Sequence, residues 1–216
     1  MEADLDAVIR HYRTSPSQKI FLLGHSWGAI LASSFINHSE GTIHGLILAE
    51  PGGLNWDDIK GYVERTRDIR FTSELMNDAT YLDQFITGKQ ENDHAILDYK
   101  LGLLASSDGS TDNPIGNEGI VPFWRQGFVV NKALFDLGEK QKPDFTTNLQ
   151  HYTTKVLFAY SENNKAYGEA YAQKVASAFP NVELFQVNDA GHDMLSFPSG
   201  WQNFYPTALA YFNSLR

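Results

Sequence analysis

Hydrophobic positions along the chain fall into short unbroken runs alternating with amphipathic stretches. Leu5, Val8, Ile9 and Tyr12 recur at helical spacing, which predicts a helix over 3–13 that Pro16 ends. "KIFLLG" (19–24) is a continuous apolar run, as expected of a strand buried on both faces of a parallel sheet. A helix is predicted over 28–37, then a second buried strand in "IHGLILAEP" (43–51) and a third in "TKVLFAYS" (154–161). A helix over 166–179 stops at Pro180, "VELFQV" (182–187) reads as a fourth strand, and a closing helix spans 202–215. Strands alternating with helices predict an α/β fold, a doubly wound, mostly parallel sheet with right-handed crossovers.

Residues 52–151 interrupt that alternation. They are more polar, with helical patches at 56–68, 79–87, 91–105 and 124–138 and a loop composition over 106–119. The expected organisation is a core of residues 1–51 and 152–216, with 52–151 inserted as a helical cap over the carboxyl edge of the sheet.

Composition removes several function classes. With 216 residues, 42% of them hydrophobic, the chain can bury a core without disulfides or metals. It has no cysteine, so thiol catalysis and cysteine-ligated zinc are excluded. A formal charge of −9 argues against nucleic acid as a partner, since a phosphate backbone calls for a basic face. No apolar run approaches the roughly 18 residues of a membrane span, and the acidic start "MEADLDAVIRHYR" is unlike a signal peptide. A cytoplasmic protein with neither membrane partner nor cofactor is the expectation.

The chemistry concentrates in "GHSWG" (24–28), which fits G-x-S-x-G between an apolar strand and a helix. Such a turn strains the serine and exposes its oxygen, and the following helix aims its N-terminus at the same spot. Serine needs a base within hydrogen-bond reach. Of seven histidines, His192 in "NDAGHDM" is the best placed, on a loop just past the last strand. His25 belongs to the turn itself and should pack sideways; the other five read as surface or satisfied structural histidines. No histidine spacing points to a metal.

These residues resemble the α/β-hydrolase superfamily, in particular the capped branch that contains proline iminopeptidases and haloalkane dehalogenases. The matching parts are "GHSWG", "LILAEP", the inserted cap, "KVLFAYSENN" and "AGHDM". The resemblance implies Ser26 as nucleophile on an acyl carbon, His192 as general base, the Trp27 N–H as an oxyanion donor, and a carboxylate orienting the histidine. It implies a small-molecule or short-peptide substrate; iminopeptidases bind its amino group with cap carboxylates, for which this cap offers acids from Glu64 to Asp98 without singling one out. Trp-Gly after the serine tips the substrate toward aminoacyl amides over simple esters. A serine at the elbow suits acyl transfer, whereas dehalogenases use an aspartate there.

Two departures follow. Where the family's acid usually stands, in "SENN", this chain has Asn164. Some members, including one group of dehalogenases, take the acid from the end of the preceding strand, here Glu50; Glu162, or no acid at all, are the alternatives. The family also has four more strands before the elbow, and a loop among them donates half of the oxyanion hole. A truncated form of a parent of about 300 residues is therefore expected, or a sheet completed by another chain. The elbow strand would then carry a bare apolar edge open to self-association, and turnover would be lowered. The competing reading is a non-catalytic, hydrolase-like remnant or ligand-binding protein.

Overall fold

In a computed structural model of the protein, residues 1–39, 43–66, 114–119 and 127–215 are described. The elements are α1 (Glu2–Tyr12), β1 (Phe21–His25), α2 (Trp27–His38), β2 (Gly45–Ala49), α3 (Trp56–Thr66), α4 (Phe128–Gln141), a 3₁₀ turn (Leu149–His151), β3 (Val156–Ser161), α5 (Gly168–Ala176), β4 (Val182–Val187) and α6 (Pro198–Ser214). The predicted patches at 79–87 and 91–105 and most of the 106–119 loop lie outside the described residues.

The four strands form one parallel sheet in the order β1-β2-β3-β4. Parallel neighbours need helical crossovers, and these cover both faces. Because side chains alternate along a strand, β2 divides its residues between two cores. Leu46 and Leu48 pack with Val156, Phe158 and residues of α1, α2 and α5. Ile47 and Ala49 face the opposite way, with Leu157, Ala159 and Phe204, Ala208 and Tyr211 of α6. The Tyr211 hydroxyl fastens α6 across the sheet by accepting the Leu46 N–H at 2.9 Å and donating to the Lys155 carbonyl. The doubly wound arrangement is thus present.

Every residue of β2 and β3 is buried, as their unbroken apolar runs require. "KIFLLG" departs from expectation: β1 pairs only with β2 among the described residues, and Leu23 is 43% exposed. An apolar run shows that a strand can be covered on both faces, but it does not supply the cover. The closing helix starts at Pro198, four residues before the predicted start, because proline at the first helical turn has no N–H to leave unsatisfied.

Parts of the insertion lie over this core. Trp56 of α3 and Phe135 of α4 meet at 4.8 Å between ring centroids, and both pack with Ile30 and Trp27 of α2.

Candidate active site

Three strands end at neighbouring points on the carboxyl edge, and each exit is fixed by the next strand. The Ser26 N–H donates to the Ala49 carbonyl (2.8 Å), Glu50 N–H to Ala159 (3.0 Å) and Glu162 N–H to Val187 (3.0 Å). The first two exits are strained: Ser26 has φ 52° and Glu50 φ 44°, the left-handed region that side chains other than glycine seldom occupy. From these positions both side chains reach the ring of His192.

The glycines flanking Ser26 are not equivalent. A Cβ on Gly24 would come 2.5 Å from the Gly28 carbonyl oxygen and 2.6 Å from the Ala29 Cα, so Gly24 is what lets α2 start against the strand. A Cβ on Gly28 would meet nothing within 4 Å among the described residues. Among the described residues the steric demand of the turn therefore falls on Gly24.

The long-range geometry is compact. His192 Nε2 lies 2.9 Å from Ser26 Oγ, and Nδ1 lies 2.7 Å from Glu50 Oε2. A carboxylate can only accept, so Nδ1 carries the proton and Nε2 is left to accept the serine proton. Glu50 is fully buried, which is tolerable because four donors converge on it. Oε1 accepts the Ser161 N–H (2.7 Å) and hydroxyl (2.5 Å), while Oε2 accepts Asn164 Nδ2 (2.8 Å) as well as His192. Burial alone would lower the affinity of His192 for a proton, but the hydrogen bond to Glu50 and the charges of Glu50 and Asp193 outweigh it and raise its pKa above 6.5.

Of the candidate acids, the fold brings Glu50 to His192 and holds Glu162 away. Glu162 is exposed, and its carboxylate accepts the Asp189 N–H at 2.9 Å. Asn164, in the place usual for an acid, touches Glu50 rather than the ring. Trp27 is the first residue of α2, directly after Ser26, and the first N–H groups of a helix have no carbonyl one turn back to bond.

Sequence reasoning missed the groups that hold the histidine loop. The His192 N–H donates to the Ile115 carbonyl (2.8 Å), and Asp193 N–H donates to Asn117 Oδ1 (2.9 Å). Gly191 lies so close to the 115–117 segment that a Cβ would sit 2.2 Å from the Gly116 carbonyl carbon. The loop composition of 106–119 foretold a turn but gave no sign of its docking partner. His25 does pack sideways, with Nε2 donating to the His192 carbonyl at 2.6 Å. Burial first, and then the neighbouring His192, lower its pKa.

Among the described residues His25, His192 and Asp193 bring potential metal-ligand atoms within 4.8 Å of one another. Both nitrogens of His192 and Nε2 of His25 are already engaged in the bonds above, so this set is a poor metal cradle. Also among the described residues, no helix is long and apolar enough to cross a membrane.

Solved structures share this architecture. The chain superposes on VinJ with a TM-score of 0.59 at 14% identity, covering 100% of this chain and 72% of that one. For MenH from S. aureus the TM-score is 0.56 at 18% identity, over 99% of this chain and 74% of the other. An esterase from Exiguobacterium antarcticum gives 0.54 at 17% identity, over 98% and 72%. No curated protein matches the sequence. Likeness at such identities establishes the fold alone, but residues 2–201 also match the profile of the alpha/beta hydrolase family. The chain belongs to the alpha/beta hydrolase family.

Proposed function

We propose that the protein is a serine hydrolase that cleaves a small amide or ester through an acyl-enzyme. The observation that carries this reading is the relay from Ser26 Oγ through His192 to Glu50, with contacts of 2.9 Å and 2.7 Å, anchored on a strained serine. Ser26 Oγ attacks the acyl carbon as its proton passes to His192 Nε2. The negative charge that develops on the acyl oxygen is met by the Trp27 N–H. Glu50 stays ionised and stabilises the imidazolium. His192 then protonates the leaving amine or alkoxide, and water repeats the sequence in reverse to release the acid.

Glu50 fills the acid's role from the end of β2, as in the dehalogenase-like arrangement, while a serine nucleophile directs the chemistry to acyl transfer. Within that class the reading is an aminoacyl amide or short peptide, as for proline iminopeptidases, on the strength of Trp27-Gly28 after the nucleophile. Residues 52–151 serve as the cap that closes over the substrate; α3 and α4 beside the elbow support this.

A fluorophosphonate probe tests the reading. It is expected to label the protein at Ser26 and to leave a Ser26→Ala variant unlabelled. Equal labelling of the two proteins refutes the assignment.

A further inference from the structure

Asn164 and Tyr62 have no part in the relay as it stands, yet both are inside it. Tyr62, on α3, is buried, and its hydroxyl lies 3.1 Å from His192 Nδ1. Asn164, just after β3, is 1% exposed and donates from Nδ2 to Glu50 Oε2 (2.8 Å) and to the Tyr62 hydroxyl (3.0 Å). The four groups form a closed ring: imidazole N–H, carboxylate oxygen, amide N–H, phenol oxygen. Proton bookkeeping fixes the polarity of that ring. Nδ1 donates to the carboxylate, so the phenol oxygen opposite it can only accept from that N–H, and it also accepts from the amide.

A purely packing role fits Asn164 poorly. Among the described residues its buried Oδ1 has no hydrogen-bond partner. A buried polar atom left unsatisfied is destabilising and uncommon, and it persists where the other half of the group is held by something that matters more. Turning the amide over would let Oδ1 accept the Tyr62 hydroxyl, but it would set that oxygen against the Glu50 carboxylate and take a donor away from the buried charge. Tyr62 has packing to do, stacked near Tyr171 at 6.1 Å and edge-on to Tyr167 at 5.4 Å, but its ring alone does that.

We propose that Asn164 and Tyr62 are positioning residues, a neutral clamp that holds Glu50 Oε2 and the Nδ1–H of His192 in register from both sides. This rests on the hydrolase reading for its use in catalysis, though not for its geometry. Asn164 takes one lone pair of the oxygen that bonds the ring, which keeps the carboxylate from rotating away. Tyr62 offers the ring N–H a second acceptor, so the ring stays aligned with Ser26. Since Tyr62 belongs to the inserted segment, α3 reaches directly into the relay.

The two clamp members act on the imidazolium with opposite sign. The phenol oxygen presents a negative dipole end to Nδ1 and favours the cation; the amide hydrogens present a positive end and disfavour it. Among the described residues, the titratable or charged groups that face His192 are Glu50, His25, Asp193 and Tyr62 itself; the first three are retained both in Asn164→Ala and in Tyr62→Phe.

The experiment is an NMR titration of the ¹⁵N-labelled imidazole of His192 in the full chain, in the wild type, Tyr62→Phe and Asn164→Ala. The titration midpoint is expected to fall in Tyr62→Phe and to rise in Asn164→Ala. Unmoved midpoints, or displacement of both in one direction, overturn the proposal. Should Asn164→Ala fail to fold, Tyr62→Phe, which retains the ring packing, decides alone: a midpoint that does not fall overturns it. With ester substrate, kcat of Tyr62→Phe is expected to drop about tenfold, the worth of one hydrogen bond, with KM unchanged; an undiminished kcat in a protein whose wild type turns over also overturns it. Fluorophosphonate labelling of the wild type separates the two claims, since an unlabelled wild type sinks the hydrolase reading while the titration still judges the clamp.

Discussion

Glu50→Gln isolates the electrostatic half of the relay with almost no change of shape. The wild-type carboxylate is fully buried and accepts four hydrogen bonds, two on each oxygen. Glutamine can keep its carbonyl oxygen on the Ser161 N–H, which the backbone cannot turn away. Its amide nitrogen then faces Asn164 Nδ2 and His192 Nδ1, donor against donor. The imidazole relieves the clash by moving its proton to Nε2, and that nitrogen then points a hydrogen at Ser26 instead of a lone pair. Amide-for-acid exchange in a serine triad lowers turnover about 10⁴-fold, equivalent to roughly 5.4 kcal/mol of barrier. The charge that raises the His192 pKa is lost as well, so the acid limb of whatever activity remains moves to lower pH. The assay is hydrolysis of an activated aryl ester and of an aminoacyl anilide, with circular dichroism and thermal unfolding to confirm that the variant is folded. A folded Glu50→Gln protein within tenfold of wild-type kcat, alongside an inactive Ser26→Ala, would refute the reasoning and leave Glu50 a structural carboxylate.

Further predictions concern the turn and the histidine. Gly24→Ala, which drives a Cβ into the Gly28 carbonyl and the Ala29 Cα, should destabilise the protein by about 3 kcal/mol, the upper part of the range for overpacking; Gly28→Ala should lie within about 0.5 kcal/mol of wild type, and denaturant unfolding of both variants checks the contrast. In the wild type, kcat/KM should rise with pH along a limb centred above 6.5, since His192 must be neutral to accept the serine proton and its pKa is raised; a limb centred below 6.5 would contradict the Glu50 contact. Stability carries the opposite sign. The protonated His192–Glu50 pair stabilises the folded state fully below the unfolded value of 6.5, and this is lost as pH rises through the raised folded value. The unfolding temperature of the wild type relative to His192→Gln should therefore decline across that window.

Local pattern carried the sheet and the strained serine. Unbroken apolar runs placed β2 and β3, because a strand covered on both faces must be apolar at every position, and each of their residues is buried. The Gly24–Gly28 turn marked Ser26, since the steric demand of a strand-to-helix elbow is met within five residues. His192 was legible for a weaker reason: a histidine on the loop after the last strand can lean over the sheet edge whatever its partner.

The acid was legible only through the family resemblance, which put Glu50 first and left Glu162 or no acid as alternatives. Glu50 and Glu162 both stand at strand ends in the sequence, and only the register of β2, β3 and β4 turns one carboxylate inward and the other to solvent. Asn164 was legible only as the amide standing in the acid's usual place; its bond to Tyr62, 102 positions away, and their separate contacts with Glu50 and His192 had no local signal. The sequence by itself determined what is settled by nearest neighbours along the chain: strands, helices and the strained serine. Tertiary structure alone decided which buried charge meets which ring, because that depends on groups more than a hundred residues apart sharing one desolvated volume, where a carboxylate is stable only if enough donors converge on it.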